Sequence, residues 1–168
     1  MARRRYYRRY VRVAPKKKWA SNILVGSVTT SNYATIVENS TQTSTPTPVI
    51  VKCGNFKVQG DVMFSTGGST PTRPVCMNLF LIFCPEGVSP SDGLIGAHPE
   101  WIIGWKTVDV GVIRSTSESG NPTSSFSMSS RLKRNLNSGD RIVAILQSSD
   151  GSMTGQCVFT CQYWTCAN

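Results

Sequence analysis

From residue 23 to the end of the chain, apolar residues recur at every second position or in short unbroken runs, and nowhere on a helical period. That pattern limits the chain to packed sheets. Phe56, Val58, Val62 and Phe64 alternate with polar Lys57, Gln59 and Asp61, which gives a strand with one wet face and a bend at Gly60. Residues 75–84 are apolar on both faces except at Asn78, as a central strand should be. Further strands are expected at 23–30, 33–37, 108–113, 126–132, 141–147 and 156–165. Within 98–105 a short helical turn started by Pro99 and then a strand are expected. Ser, Thr, Gly and Pro break the chain at 41–48, 66–74, 85–93 and 115–125, and turn signals stand at 137–140 and 148–152. The result is all-β, with eight or nine short strands, no amphipathic helix and no repeat. Two antiparallel sheets of about four strands each, a jelly roll, fit that strand count and those loop lengths.

Charge divides the chain differently. Residues 1–18 carry nine of its eighteen Lys and Arg and none of its nine Asp and Glu, so residues 19–168 are formally neutral. The expected organisation is a disordered basic arm, 1–18, followed by one β domain, 19–168. The arm alternates Arg3, Arg4, Arg5, Arg8, Arg9 and Arg12 with Tyr6, Tyr7 and Tyr10, and ends on Lys16, Lys17 and Lys18. Guanidinium and ammonium groups pair with phosphates, and tyrosine rings offer faces to unpaired bases. A polyanion partner, a nucleic acid, is expected, bound with little sequence preference and strong salt dependence. Arg3, Arg4, Arg5, Arg8, Arg9, Lys16, Lys17 and Lys18 also resemble a basic nuclear-import signal, which would engage host import receptors. In the body, Arg131, Lys133 and Arg134 form the one basic cluster. It is either a second phosphate contact or a solvated loop charge or salt bridge between subunits.

The remaining chemistry-bearing residues exclude more than they suggest. His98 is the only histidine, so a multi-histidine metal site cannot form, and packing or a turn-stabilising bond is its expected role. No nucleophile elbow, phosphate-cradling glycine motif or paired carboxylates occur in the chain. No enzyme activity, metal or cofactor is expected. Cys53, Cys76, Cys84, Cys157, Cys161 and Cys166 have no CxxC spacing and no signal-peptide context, so thiols, mostly buried, are expected. No apolar run is long enough to cross a membrane as a helix. Only 16% of residues are charged, which suits burial against copies of the same chain. Trp19, Trp101, Trp105 and Trp164 are candidates for such contacts or for the core.

Three segments together resemble the capsid proteins of circovirus-like viruses, which have small circular single-stranded DNA genomes and encode a replication initiator. One is the Arg/Tyr arm. The second is Leu79-Phe-Leu-Ile-Phe-Cys-Pro-Glu-Gly-Val-Ser-Pro90 followed by His98-Pro-Glu-Trp101. The third is Ser130-Arg-Leu-Lys-Arg-Asn-Leu-Asn-Ser-Gly-Asp-Arg-Ile-Val143. The resemblance implies a single jelly-roll subunit, a small icosahedral shell of sixty copies, a packaged circular single-stranded DNA, and nuclear import before assembly. The expected locations are the virion and the host nucleus. This chain is shorter than many such proteins, so no receptor-attachment residue is carried over.

Two other readings stay open on the sequence. A coat protein of a satellite-type single-stranded RNA virus has the same arm and fold, and arm contacts do not separate DNA from RNA. A monomeric β-barrel nucleic-acid-binding module would carry basic and aromatic side chains on its folded surface as well.

Overall fold

In a computed structural model, residues 15–27, 33–40, 50–66, 76–109, 123–148 and 153–167 are described. They form eight strands: β1 Lys16–Ser27, β2 Tyr33–Glu38, β3 Val51–Thr66, β4 Cys76–Cys84, β5 Ile102–Asp109, β6 Thr123–Leu136, β7 Arg141–Ser148 and β8 Met153–Ala167. Two short helical pieces, α1 Gly93–Ala97 and the 3-10 turn Pro99–Trp101, lie between β4 and β5.

The strands build two antiparallel sheets of four, ordered β1-β8-β3-β6 and β2-β7-β4-β5. The pairing has one pattern. β1 pairs with β8, β2 with β7, β3 with β6 and β4 with β5, as in a ribbon doubled back at the β4–β5 link. Two further pairings, β3 with β8 and β4 with β7, join neighbouring parts of that ribbon within each sheet. Every link except β4–β5 passes from one sheet to the other. The all-β sandwich expected from the sequence is therefore present.

The alternating strands put one face each into the space between the sheets. Phe56, Val58, Val62 and Phe64 of β3 meet Met77, Leu79 and Leu81 of β4, Ile142, Ala144 and Leu146 of β7, and Cys157, Phe159 and Cys161 of β8. Truncating any of the larger of these to Ala would cost about 2–5 kcal/mol. At one edge the Ser130 hydroxyl donates to the Ile103 carbonyl at 2.6 Å, tying β6 to β5 across the two sheets.

β4 and β7 are apolar on both faces because both faces are covered. Ile82, Cys84, Val143 and Ile145 point away from the main core and form a second buried cluster. Val88, Leu94, Ile95 and Trp101 of the β4–β5 segment pack over it. α1 was not expected from the sequence: five residues are too few to show a helical period, and it carries no capping side-chain bond.

Several boundaries moved. β1 starts at Lys16, so Lys16, Lys17 and Lys18, expected in the arm, are the first three residues of an edge strand, paired with Thr165, Trp164 and Tyr163. Lysines on an edge strand also discourage pairing with a foreign strand. β3 runs well upstream of Phe56, past a register shift between Gly54 and Phe56 where Asn55 takes φ 53°. Asn tolerates that left-handed conformation better than most residues. The Pro99 turn and the 137–140 turn formed as expected. The expected strand at 108–113 is described only to Asp109, and the 41–48 loop and 148–152 turn lie largely outside the described residues.

Candidate nucleic-acid interface

Residues directly opposite one another in an antiparallel pair share a face. On the outer face of β1-β8-β3-β6, the registers therefore set side chains in rows across the sheet. Lys17, Trp164, Gly54 and Lys133 make one row. Trp19, Gln162, Lys57 and Ser129 make the next. On the other side of the first row, Cys166, Lys52 and Asn135 line up. Four lysines and two tryptophans thus fall within three rows. At about 7 Å between rows and 4.8 Å between strands, the patch measures roughly 14 Å each way.

The bulge is what gathers it. Lys52 and Lys57 are five positions apart, and in a regular strand they would face opposite ways. The extra residue at Asn55 puts both on the outer face, with Cys53, Phe56 and Val58 inward. Trp164 and Lys133 close over Gly54, where a Cβ would lie 3.2 Å from the indole Cζ2 and 3.0 Å from Lys133 Cγ. Trp19 is 66% exposed. A groove of about 390 Å³ runs between Pro15, Lys17, Asn55, Lys57, Gln162 and Trp164.

Further along β3 the face changes character. Thr160, Gln59 and Ser127 form an uncharged row, and the next row, Val158, Asp61 and Ser125, carries one negative charge. The Ser125 hydroxyl donates to the Asp61 carboxylate at 2.6 Å. A larger, shallower hollow of about 640 Å³ lies here, and its single charge is the negative one of Asp61, so it does not suit a phosphate. Among the described residues the only ion pair is His98 with Glu100, so none of the four lysines is neutralised by a described carboxylate.

The opposite outer face, on β2-β7-β4-β5, has another chemistry. Tyr33, Ile145, Phe80 and Trp105 form a row across it, with Phe80 and Trp105 stacked at 6.4 Å. Among the described residues its charges are Glu38 and Arg141, opposite each other at one end, and Asp109, opposite Cys76 at the other. The Arg141 guanidinium donates to the Val88 carbonyl at 2.9 Å and lies over the Tyr33 ring.

The sequence-expected site residues distribute as follows. Lys17 and Lys133 lie in one row of the basic face, on its two edge strands, while Lys16 and Lys18 sit on the same strand as Lys17 in alternate positions. Arg131 is exposed in the irregular stretch of β6. Arg134 is turned elsewhere: its guanidinium lies 5.8 Å from the Phe83 ring centre and donates to the Glu100 carbonyl. That use explains Arg134 as a tether of the Pro99–Trp101 turn and removes it from the basic face. Arg3, Arg4, Arg5, Tyr6, Tyr7, Arg8, Arg9, Tyr10 and Arg12 lie outside the described residues. Lys52, Lys57, Trp19 and Trp164 were not singled out for this role from the sequence.

His98 has the packing role expected of it. Its ring stacks on Trp101 at 3.8 Å, and Nδ1 meets the Glu100 carboxylate at 3.0 Å. The Glu100 backbone N–H and then the His98 ring hold that carboxylate below its ordinary pKa. Cys53, Cys84, Cys157 and Cys161 are buried thiols, and Cys76 and Cys166 are half-buried. No tryptophan enters the fully buried core. Among the described residues no three potential metal ligands come together, and no helix is long and apolar enough to cross a membrane.

Comparison with known proteins adds no kinship: no family model and no curated protein matches the chain.

Proposed function

We propose that this chain is a viral coat protein that packs with copies of itself into a small shell and holds the genome through its basic leader and the lysine face of the sandwich. The observation that carries this reading is the separation of chemistry between the two outer faces. One bears Lys17, Lys52, Lys57 and Lys133 with exposed Trp19 and half-buried Trp164, and the other carries an aromatic row across its middle. A container needs such a difference between the side that meets phosphates and the side that does not. In this reading the sandwich is a jelly roll. The pairings β1·β8, β2·β7, β3·β6 and β4·β5, a doubled ribbon rolled into two sheets, support that topology.

The circovirus-like motifs extend the proposal to a sixty-copy icosahedral shell, a circular single-stranded DNA genome and passage through the nucleus. Six arginines precede β1 and serve as the genome clamp, Lys16, Lys17 and Lys18 add charge from the strand itself, and Arg3, Arg4, Arg5, Arg8 and Arg9 with the three lysines serve as the import signal.

The test is to purify the full chain, treat it with nuclease and extract what survives. Protected nucleic acid that becomes sensitive to DNase after extraction supports the proposal. Protected RNA moves the reading to a satellite-type RNA virus, and an absence of protected nucleic acid contradicts both.

A second reading is favoured by the same face. Charge and aromatics on a folded surface are what a monomeric nucleic-acid-binding module requires. Particle mass separates the two, because a module stays near 18.4 kDa.

A further inference from the structure

We propose that the folded body holds a stacking seat for single-stranded polynucleotide, in which unpaired bases lie on Trp19 and Trp164 while Lys17, Lys57 and Lys133 meet the flanking phosphates. This rests on the nucleic-acid reading above and adds to it a binding mode that does not depend on the leader.

Trp19 stands opposite Gln162, and Trp164 opposite Lys17, so the two indoles are diagonal neighbours on adjacent strands. Diagonal neighbours lie roughly 7–8 Å apart, with their Cβ atoms somewhat closer, within reach of one planar group or of two successive bases. Gly54, having no Cβ, leaves room over the β3 backbone for the Trp164 indole edge and the Lys133 stem, which would lie 3.2 Å and 3.0 Å from a Cβ there. Lysines flank the pair on three strands: Lys17 on β1, Lys57 on β3 and Lys133 on β6. Two successive rows lie about 7 Å apart, close to the phosphate spacing of an extended single strand.

Nothing on this face reads a base edge in a fixed pattern; the only amides and hydroxyls in the two rows are Gln162 and Ser129. The ligand class is therefore single-stranded polynucleotide of tolerant sequence. A duplex fails because its bases are already stacked, so it can use the lysines and not the indoles.

The test uses the full chain with oligo(dT), oligo(U) and a duplex of matched length, at fixed moderate salt. Single strands should quench intrinsic tryptophan fluorescence, and the quenching reports on Trp19 and Trp164, since Trp105 lies on the other sheet and Trp101 in the Pro99–Trp101 turn. Trp19→Ala with Trp164→Ala should weaken oligo(dT) binding by roughly ten- to a hundredfold, abolish the quenching and leave duplex binding unchanged. Trp19→Phe alone keeps a ring at an exposed position and should retain most of the affinity. Lys57→Glu with Lys133→Glu should weaken single strands and duplex alike. Matched effects for oligo(dT) and oligo(U) place the recognition in base faces and phosphates. A preference for one sugar that disappears in the tryptophan variant assigns the sugar contact to the same seat. Wild-type affinity and quenching in the double tryptophan variant, with native far-UV circular dichroism, would overturn the seat. Protected nucleic acid in particles of that variant would still support the coat proposal. Tryptophan-dependent quenching in a chain that never assembles would do the reverse.

Discussion

Trp164 lies across Gly54, and the backbone of β3 comes close enough that a Cβ at residue 54 would sit 3.2 Å from the indole and 3.1 Å from the Leu132 carbonyl on the neighbouring strand. The glycine is thus a seat as well as part of a bulge. Gly54→Val should lift Trp164 and Lys133 from the sheet and cost about 1–3 kcal/mol by overpacking. Urea denaturation measures the cost. The same variant should show a changed tryptophan emission maximum, and an unchanged spectrum with unchanged stability would mean the indole rests elsewhere.

Arg134 and Lys133 are sequence neighbours with opposite assignments. Arg134→Ala removes a guanidinium packed over Phe83 and a hydrogen bond to Glu100, so thermal stability should fall by about 1–2 kcal/mol. Nucleic-acid affinity and its salt dependence should stay close to wild type. Lys133→Ala should do the reverse, lowering the magnitude of the salt slope by about one phosphate contact with little change in melting. Titration with oligonucleotide at several salt concentrations, beside thermal melts, checks both.

Asp140 is 5% exposed and accepts the backbone N–H groups of Asn137 at 2.8 Å and Glu86 at 3.1 Å. It pins the β6–β7 turn to the turn after β4, while the Asp140 carbonyl accepts from Asn39 at the end of β2. Asp140→Ala strands two donors and should cost about 3 kcal/mol. Asp140→Asn keeps one acceptor oxygen and should recover about half of that. Equal stability of the two variants in denaturant would show that the carboxylate is not the pin.

The buried thiols tie stability to alkaline pH. Burial pushes Cys53 up to about 11, and Cys157 and Cys161 up to about 12, from an ordinary 9.0. The Asp61 charge adds to the shift at Cys157. Below pH 9 both folded and unfolded chains keep these protons, and the stabilisation is complete. Above it the unfolded chain loses them first, so stability should fall from pH 9 through the folded values, by about 1 kcal/mol per pH unit for each thiol. Melting temperature against pH follows this directly. In native protein at pH 8 a thiol reagent should leave Cys53, Cys157 and Cys161 unmodified until denaturant is added, and Cys→Ser at these three positions should flatten the alkaline loss.

Much of the sandwich was legible because its strands obey period two. Phe56 to Phe64 and Phe126 to Met128 alternate, and the run from Ile142 to Leu146 is continuous because Val143 and Ile145 have their own cover. What stayed hidden depends on partners distant in sequence. Leu94, Ile95 and Trp101 cover the outside of β4 and β7, yet their short segment has no periodicity of its own. Lys16–Lys18 look like the end of a charged arm, and only pairing with Thr165–Tyr163 makes them strand. The basic face was hidden for a sharper reason. Lys52 and Lys57 have opposite parity, so no alternating pattern puts them together, and a single residue of bulge at Asn55 does. Formal neutrality over residues 19–168 likewise conceals how the charges are sorted in space: Lys52, Lys57 and Lys133 share one outer face, while the other sheet carries an aromatic row and a single described lysine, Lys106, on its edge strand.

The most direct measurement is the mass of the purified full-length chain in solution with single-stranded DNA present, by sedimentation or light scattering. A closed particle in the megadalton range, carrying nucleic acid by its ultraviolet absorbance ratio, is the predicted result. A species that stays near the 18.4 kDa of one chain at every nucleic-acid concentration would contradict the coat-protein account.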